Sequence, residues 1–232
     1  MKRFWTDSAV EQESGGFTVL LDRRSIRTPK GRPLLLPTEA MAQAVAAEWG
    51  AVEDEVQPLS MPITGLANAA IDIVADDPAG FAWSLARYGE SDLLCYRAEG
   101  PAPLVERQAA AWNPILGWAE VRLDCHFETT QGLMHVRQPD AGITSLAMAM
   151  AGFCPFRLAA LSTLVTLSGS AVLALAVTEG AVDADAAWDA AMVDEVWQAE
   201  QWGEDREALA QREGRRRQFL ESARFLRLAA EN

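Results

Sequence analysis

The sequence predicts an α+β protein: a small antiparallel β-rich N-terminal domain over residues 1–60, packed on a mainly α-helical C-terminal domain over 61–232. Three observations predict it. Short apolar runs separated by Gly, Pro and Asp/Arg breaks fill the first forty residues. From Thr38 onward apolar residues recur mainly at helical spacing. Half of the 232 residues are hydrophobic and 23% are charged, which supports a buried core and excludes global disorder.

The elements follow in order. Residues 5–11 and 17–21 read as strands around Ser14-Gly15-Gly16, a hairpin signal. Asp22-Arg23-Arg24 breaks the run, and Ser25-Ile26-Arg27 leads into the turn Thr28-Pro29-Lys30-Gly31. Leu34-Leu35-Leu36, stopped by Pro37, reads as a fourth strand. Thr38 is a plausible N-cap for a helix reaching Trp49 and Gly50. Residues 56–61 hold Pro58 and precede Pro62, so they read as extended. Helices follow over 63–74 and from Asp77-Pro78 to Tyr88-Gly89, since Pro is favoured at a first helical position. Leu93-Leu94-Cys95-Tyr96 fits a strand or an extended loop. Residues 104–118 are helical, with a kink or boundary at Asn113-Pro114. Leu123, Cys125 and Phe127 alternate within 122–130, as in one more strand. From Ile143 onward the pattern is helical, with no internal repeat and no linker rich in Gly, Ser or Pro.

Residues 158–178 contain no formal charge and are long enough to span a bilayer. Ser168-Gly169-Ser170 at their centre reads instead as a helix break with a new N-cap, giving two short buried helices. A net charge of −13 argues against a nucleic-acid partner and against an anionic membrane surface. Cys95, Cys125 and Cys154 are far apart and odd in number, which excludes CxxC chemistry and fits reduced, small buried side chains. Trp49, Trp83, Trp112 and Trp118 have apolar helical neighbours, so core is their default place.

Catalytic signatures are scarce. There is no GxSxG, P-loop, GxGxxG after a strand or HExxH. His126 and His135 lack the close pairing and carboxylate support of a metal site. One stretch breaks its own pattern. On a wheel stepping about 100° per residue, Met192, Glu195, Ala199 and Trp202 all fall within about 40° of Trp188. Glu195 thus lies inside an apolar stripe, where an unpaired carboxylate costs free energy. Either it pairs with an arginine, one from the C-terminal set for instance, or a partly exposed stripe offers it to a partner's cation or amide. The surrounding charge is segregated. Residues 183–213 hold ten acids against Arg206 and Arg212, while Arg215, Arg216, Arg217, Arg224 and Arg227 follow Gly214.

Taken together, the motifs resemble the F-type ATP synthase assembly chaperones that act on the alpha subunit. The likeness begins with Phe17-Thr18-Val19-Leu20-Leu21-Asp22-Arg23-Arg24 and Thr28-Pro29-Lys30-Gly31. It continues through Ala47-Glu48-Trp49, Met61-Pro62-Ile63-Thr64 and Tyr88-Gly89-Glu90-Ser91-Asp92-Leu93-Leu94-Cys95-Tyr96-Arg97. Gln108, Trp112-Asn113-Pro114-Ile115-Leu116-Gly117-Trp118 and Gln201-Trp202-Gly203 complete it, in order along nearly the whole chain.

The resemblance implies a non-enzymatic chaperone with a β-rich N-terminal and a helical C-terminal domain, needing no nucleotide, metal or other cofactor. Such a chaperone would bind the free alpha subunit and shield its beta-contacting surface until the catalytic head assembles. The family's acidic site precedes the Trp-Gly pair, which here matches Asp194 and Glu195. Val196 departs from the longer acidic run of some relatives, leaving open which of the two carries the role. The implied partner-binding set is Asp194, Glu195, Trp197, Glu200 and Trp202. Eukaryotic members carry a mitochondrial presequence, whereas this chain starts at the first motif, so a bacterial, cytoplasmic protein without membrane insertion is expected. The alternatives are a small-molecule enzyme using buried carboxylates and a scaffold module for another protein.

Overall fold

A hairpin opens the chain. β1 (Ser8–Glu13) and β2 (Gly16–Leu21) pair antiparallel from Ser8 opposite Leu21 to Glu13 opposite Gly16, and β3 (Arg24–Ser25) adds to β2. Gly15 turns the chain at φ +98, and a Cβ on Gly16 would strike the carbonyl oxygen of Leu36. The computed structural model describes residues 1–132, 134–203 and 205–230; Glu204 of the acidic run and the last two residues lie outside these. By mutual contacts the chain gathers into two units. One holds Met1–Pro78, Cys154–Ala160 and the chain from Glu221; the other holds Ala79–Phe153 and Leu161–Leu220. The sequence reading instead makes one cut, at residue 60.

In the first unit, Val19, Leu21, Leu34 and Leu36 are buried. Residues 34–36 do not form the expected fourth strand. They make one isolated bridge, with the N–H of Phe17 and Leu36 each donating to the other's carbonyl at 2.9 and 2.8 Å. A second isolated bridge joins Pro33 to Arg27, with the Leu34 N–H donating to the Ile26 carbonyl at 3.4 Å; Pro33 and Pro37 donate no N–H, and neither bridge grows into a ladder. α1 (Glu39–Gly50) starts where Thr38 Oγ1 accepts from the Met41 N–H at 3.1 Å. A 3-10 turn, Pro58–Ser60, interrupts the stretch expected to be extended. α2 (Pro62–Asp72) is capped from a distance. Glu48 of α1 accepts from the N–H of Ile63 and Thr64 at 2.8 and 2.7 Å, and from the Thr64 hydroxyl at 2.6 Å. At the other end, Asp72 accepts from Thr28 Oγ1 and the Lys30 N–H at 2.7 and 2.9 Å, seating the Thr-Pro-Lys-Gly turn on α2.

The chain continues into α3 (Pro78–Ala86), then the 3-10 turns Arg87–Ser91 and Leu93–Cys95. β4 (Tyr96–Arg97) pairs in parallel with β5 (Thr130–Gln131). α4 (Ala102–Leu123) runs unbroken through Pro114, so Asn113-Pro114 is no boundary. Residues 122–130 are not the expected strand. α4 continues to Leu123 and ends at Asp124, whose φ is +50. Leu123, Cys125 and Phe127 are buried in alternation as a strand would bury them. Yet the Gln138 side chain, rather than a neighbouring strand, takes both backbone groups of Glu128, at 2.9 and 2.8 Å.

α5 (Asp140–Ala151), α6 (Pro155–Ser168) and α7 (Ala171–Thr178) follow. The uncharged stretch breaks where expected: Ser170 caps α7, its Oγ accepting from the Leu173 N–H at 2.9 Å. Among the described residues no helix is long and apolar enough to cross a membrane. Asp92, wholly buried, accepts from the N–H of Leu94 and Val172 at 3.1 Å each, and burial raises its pKa to about 6. α8 (Ala184–Ala191), α9 (Val193–Trp202) and α10 (Arg206–Ala230) complete the chain. Two expected core residues lie elsewhere: Trp83 is exposed, unlike the buried Trp112, and Cys154 is exposed, unlike Cys95 and Cys125.

Candidate functional site: the α9 ledge

The expected apolar stripe does not form, because α8 and α9 are separate helices. Met192 ends one and begins the other, its N–H shared between the carbonyls of Trp188 and Asp189. The wheel phase therefore does not carry across. Trp188 is buried against Phe219, with ring centroids 5.6 Å apart, whereas Trp202 is 79% exposed. Glu195 is at the surface, with its side chain 46% exposed, and it pairs with Arg215 Nη2 of α10 at 2.5 Å. The pairing with a C-terminal arginine is realised, and the carboxylate is at the same time reachable from solvent.

α4 positions this ledge. Trp112 Nε1 donates to the Ala190 carbonyl at 2.7 Å, fixing the end of α8. Buried Gln108 accepts from the Ala98 N–H at 2.8 Å and donates through Nε2 to Asp194 at 2.7 Å. Arg107 pairs with Glu200 at 2.7 Å and lies over the Trp197 ring, 4.9 Å from its centroid. Arg216 meets Asp185 at 2.6 Å. The segregated charges of the sequence thus fold onto one another.

Gly203, at φ +82, ends α9 with its N–H on the Ala199 carbonyl, and Asp205 caps α10 through the Ala208 N–H at 2.7 Å. Between the two helices lies a groove of about 430 Å³, lined by Glu195, Ala199, Trp202, Asp205, Arg212 and Arg215 among others. Glu195 and Trp202 share it. Asp194, Trp197 and Glu200 stand against α4 instead and hold the helix in place. Arg107 and Arg215 complete the site. Arg107 carries no sequence signal beyond adjacency to Gln108, and Arg215 only its place in the basic run. His126 and His135 stay apart, one 3.4 Å from Glu120 and the other 3.1 Å from the Tyr96 hydroxyl. Among the described residues no group of three or more His, Cys, Asp or Glu could hold a metal ion.

Fold and site together present an exposed tryptophan, a shallow groove and solvent-facing ion pairs. The model of the ATP12 chaperone protein family matches residues 2–120, and the chain belongs to that family. It is similar to Atp12 from Paracoccus denitrificans at 44% identity, with a TM-score of 0.91 over 98% of each chain. An Asp→Lys mutant of P. denitrificans Atp12p matches at 43% identity and TM-score 0.91, over 98% of this chain and 97% of that one. Mitochondrial atp12 of Schizosaccharomyces pombe is 23% identical over 214 residues, 87% of this chain and 74% of that protein. The chain is accordingly a chaperone of F1-ATPase assembly and not an enzyme.

Proposed function

We propose that this chaperone binds the free alpha subunit of F-type ATP synthase and shields the surface that later contacts the beta subunit. The α9 ledge carries the reading. A tryptophan 79% exposed at the lip of a groove is the kind of side chain that anchors protein interfaces. An unassembled subunit exposes apolar interface surface and sheet edges that aggregate unless covered. A cover that must later leave benefits from moderate size and polar edges, which the surrounding ion pairs supply. The net charge of −13 keeps the complex soluble and steers encounter with basic patches. Glu195 and Trp202 are the proposed direct contacts, with Asp194, Trp197 and Glu200 holding the ledge in shape. The cytoplasm is the proposed compartment.

Co-expression with the isolated alpha subunit, followed by affinity capture, tests this. The wild-type chaperone retains the subunit. Glu195→Lys loses it by at least about tenfold, while its unfolding transition shifts by less than about 1 kcal/mol, because the Arg215 pair is exposed. A wild-type chaperone that fails to retain the subunit overturns the function. A Glu195→Lys chain that unfolds makes the pair a structural one and overturns the site.

A further inference from the structure

We infer that Arg215 is a placeholder at Glu195, exchanged for an arginine or lysine of the bound polypeptide. This rests on the proposed function and adds the regulation of its contact site. Each of three carboxylates on α9 already has a donor, but the donors differ in how replaceable they are. Gln108, opposite Asp194, is buried and also engages the Ala98 N–H, so it cannot leave. Arg107, opposite Glu200, is held a second time by the face of Trp197. Arg215 reaches Glu195 through Nη2, with the two side chains 39% and 46% exposed, and both line the groove that Trp202 borders.

An exposed ion pair of this kind holds by no more than about a factor of five. Replacing one guanidinium by another cation is therefore nearly neutral, and the burial of apolar side chains on Trp202 decides the outcome. The geometry also describes the occupant. Glu195 and Trp202 are seven positions apart on one helix, about 10 Å along its axis. The matching segment places a cationic and a large apolar side chain about that far apart. Arg215, once displaced, remains on the groove wall with donors for the occupant's carbonyl groups. The internal pair keeps Glu195 from engaging stray cations and costs little to open.

The test is the affinity of the free alpha subunit for wild type, Arg215→Gln, Glu195→Gln and the double variant, with circular dichroism as the check of folding. Arg215→Gln tightens binding about two- to fivefold, because the competitor is gone. Glu195→Gln weakens it about tenfold or more, because the occupant's cation is then covered by the groove without its counter-charge while Arg215 stays in solvent, and in that background Arg215→Gln changes nothing. Should Arg215→Gln fold poorly, Arg215→Lys serves, tightening binding by a smaller factor of the same sign. Binding that weakens or stays unchanged on loss of Arg215, with wild type still capturing the subunit, overturns the placeholder and leaves the function standing. No capture by wild type removes both.

Discussion

The helix caps inside the fold and the ledge outside it are built with the same chemical group to opposite effect. Glu48 and Asp92 accept from the first backbone N–H groups of α2 and α7 and help set where those helices begin, and Asp72, at the end of α2, accepts from the Lys30 N–H and seats the turn there. Glu195 and Glu200 accept from guanidinium groups at the surface. Removing a buried acceptor strands its donors, at about 1–3 kcal/mol each, whereas an exposed ion pair is worth about 0.2–1 kcal/mol. Charge inside this chaperone specifies the fold, whereas the charge of Glu195 is open to exchange.

The largest effect that sharpens the contrast is expected at Asp92. Asp92→Ala leaves the buried N–H groups of Leu94 and Val172 without their acceptor and costs about 3 kcal/mol in denaturant unfolding. A loss below about 1 kcal/mol would mean that water or neighbouring hydroxyls replace the carboxylate, and the inside would then behave like the outside.

Acidity gives a smaller effect at the same residue. Burial raises the Asp92 carboxyl from 3.8 to about 6, against the pull of its hydrogen-bond donors. The native state therefore holds this proton more readily than the unfolded chain. Its stabilising contribution is complete below the ordinary pKa and is lost as pH rises through about 6. Lowering the pH from 6 to 5 adds about 1 kcal/mol of stability in wild type relative to Asp92→Asn, which cannot titrate. Parallel pH profiles for the two proteins would remove the linkage.

The features legible in the sequence are those decided within a few residues. The Ser14-Gly15-Gly16 hairpin, the Thr38 cap and the Ser170 cap each depend on a local turn or a hydroxyl reaching an amide three positions on. What escaped depends on distant partners. Alternation at Leu123, Cys125 and Phe127 reported burial correctly, but no local signal shows that Gln138 stands in for a strand. The break at Met192 involves neither Gly nor Pro, so the wheel carried one phase across two helices. The ledge shares this limit. Asp194, Glu195 and Trp202 could be singled out by pattern and resemblance, while their supports, Gln108, Arg107 and Arg215, come from helices 20 to 93 residues away. Discontinuous segments explain why one cut at residue 60 differs from the contact-defined units, since no sequence period marks residues 154–160 or the C-terminal turns as companions of the sheet.

The smallest expected change in stability, at Trp202, separates the two regions most cleanly. The residue is 79% exposed on the last turn of α9, and Gly203 closes the helix by its own backbone bond to Ala199. Trp202→Ala therefore removes little buried area and leaves the helix end intact, so unfolding free energy changes by less than about 0.5 kcal/mol. The same truncation removes the widest apolar surface the groove offers an occupant. Capture of the alpha subunit falls by about thirtyfold or more, the usual scale for an interface tryptophan of the hot-spot kind. If stability and capture fell together, Trp202 would belong with the buried caps and the ledge would lose its anchor. If neither changed, the alpha subunit would be gripped elsewhere, and Glu195 would have no apolar neighbour to offset the exchange of Arg215.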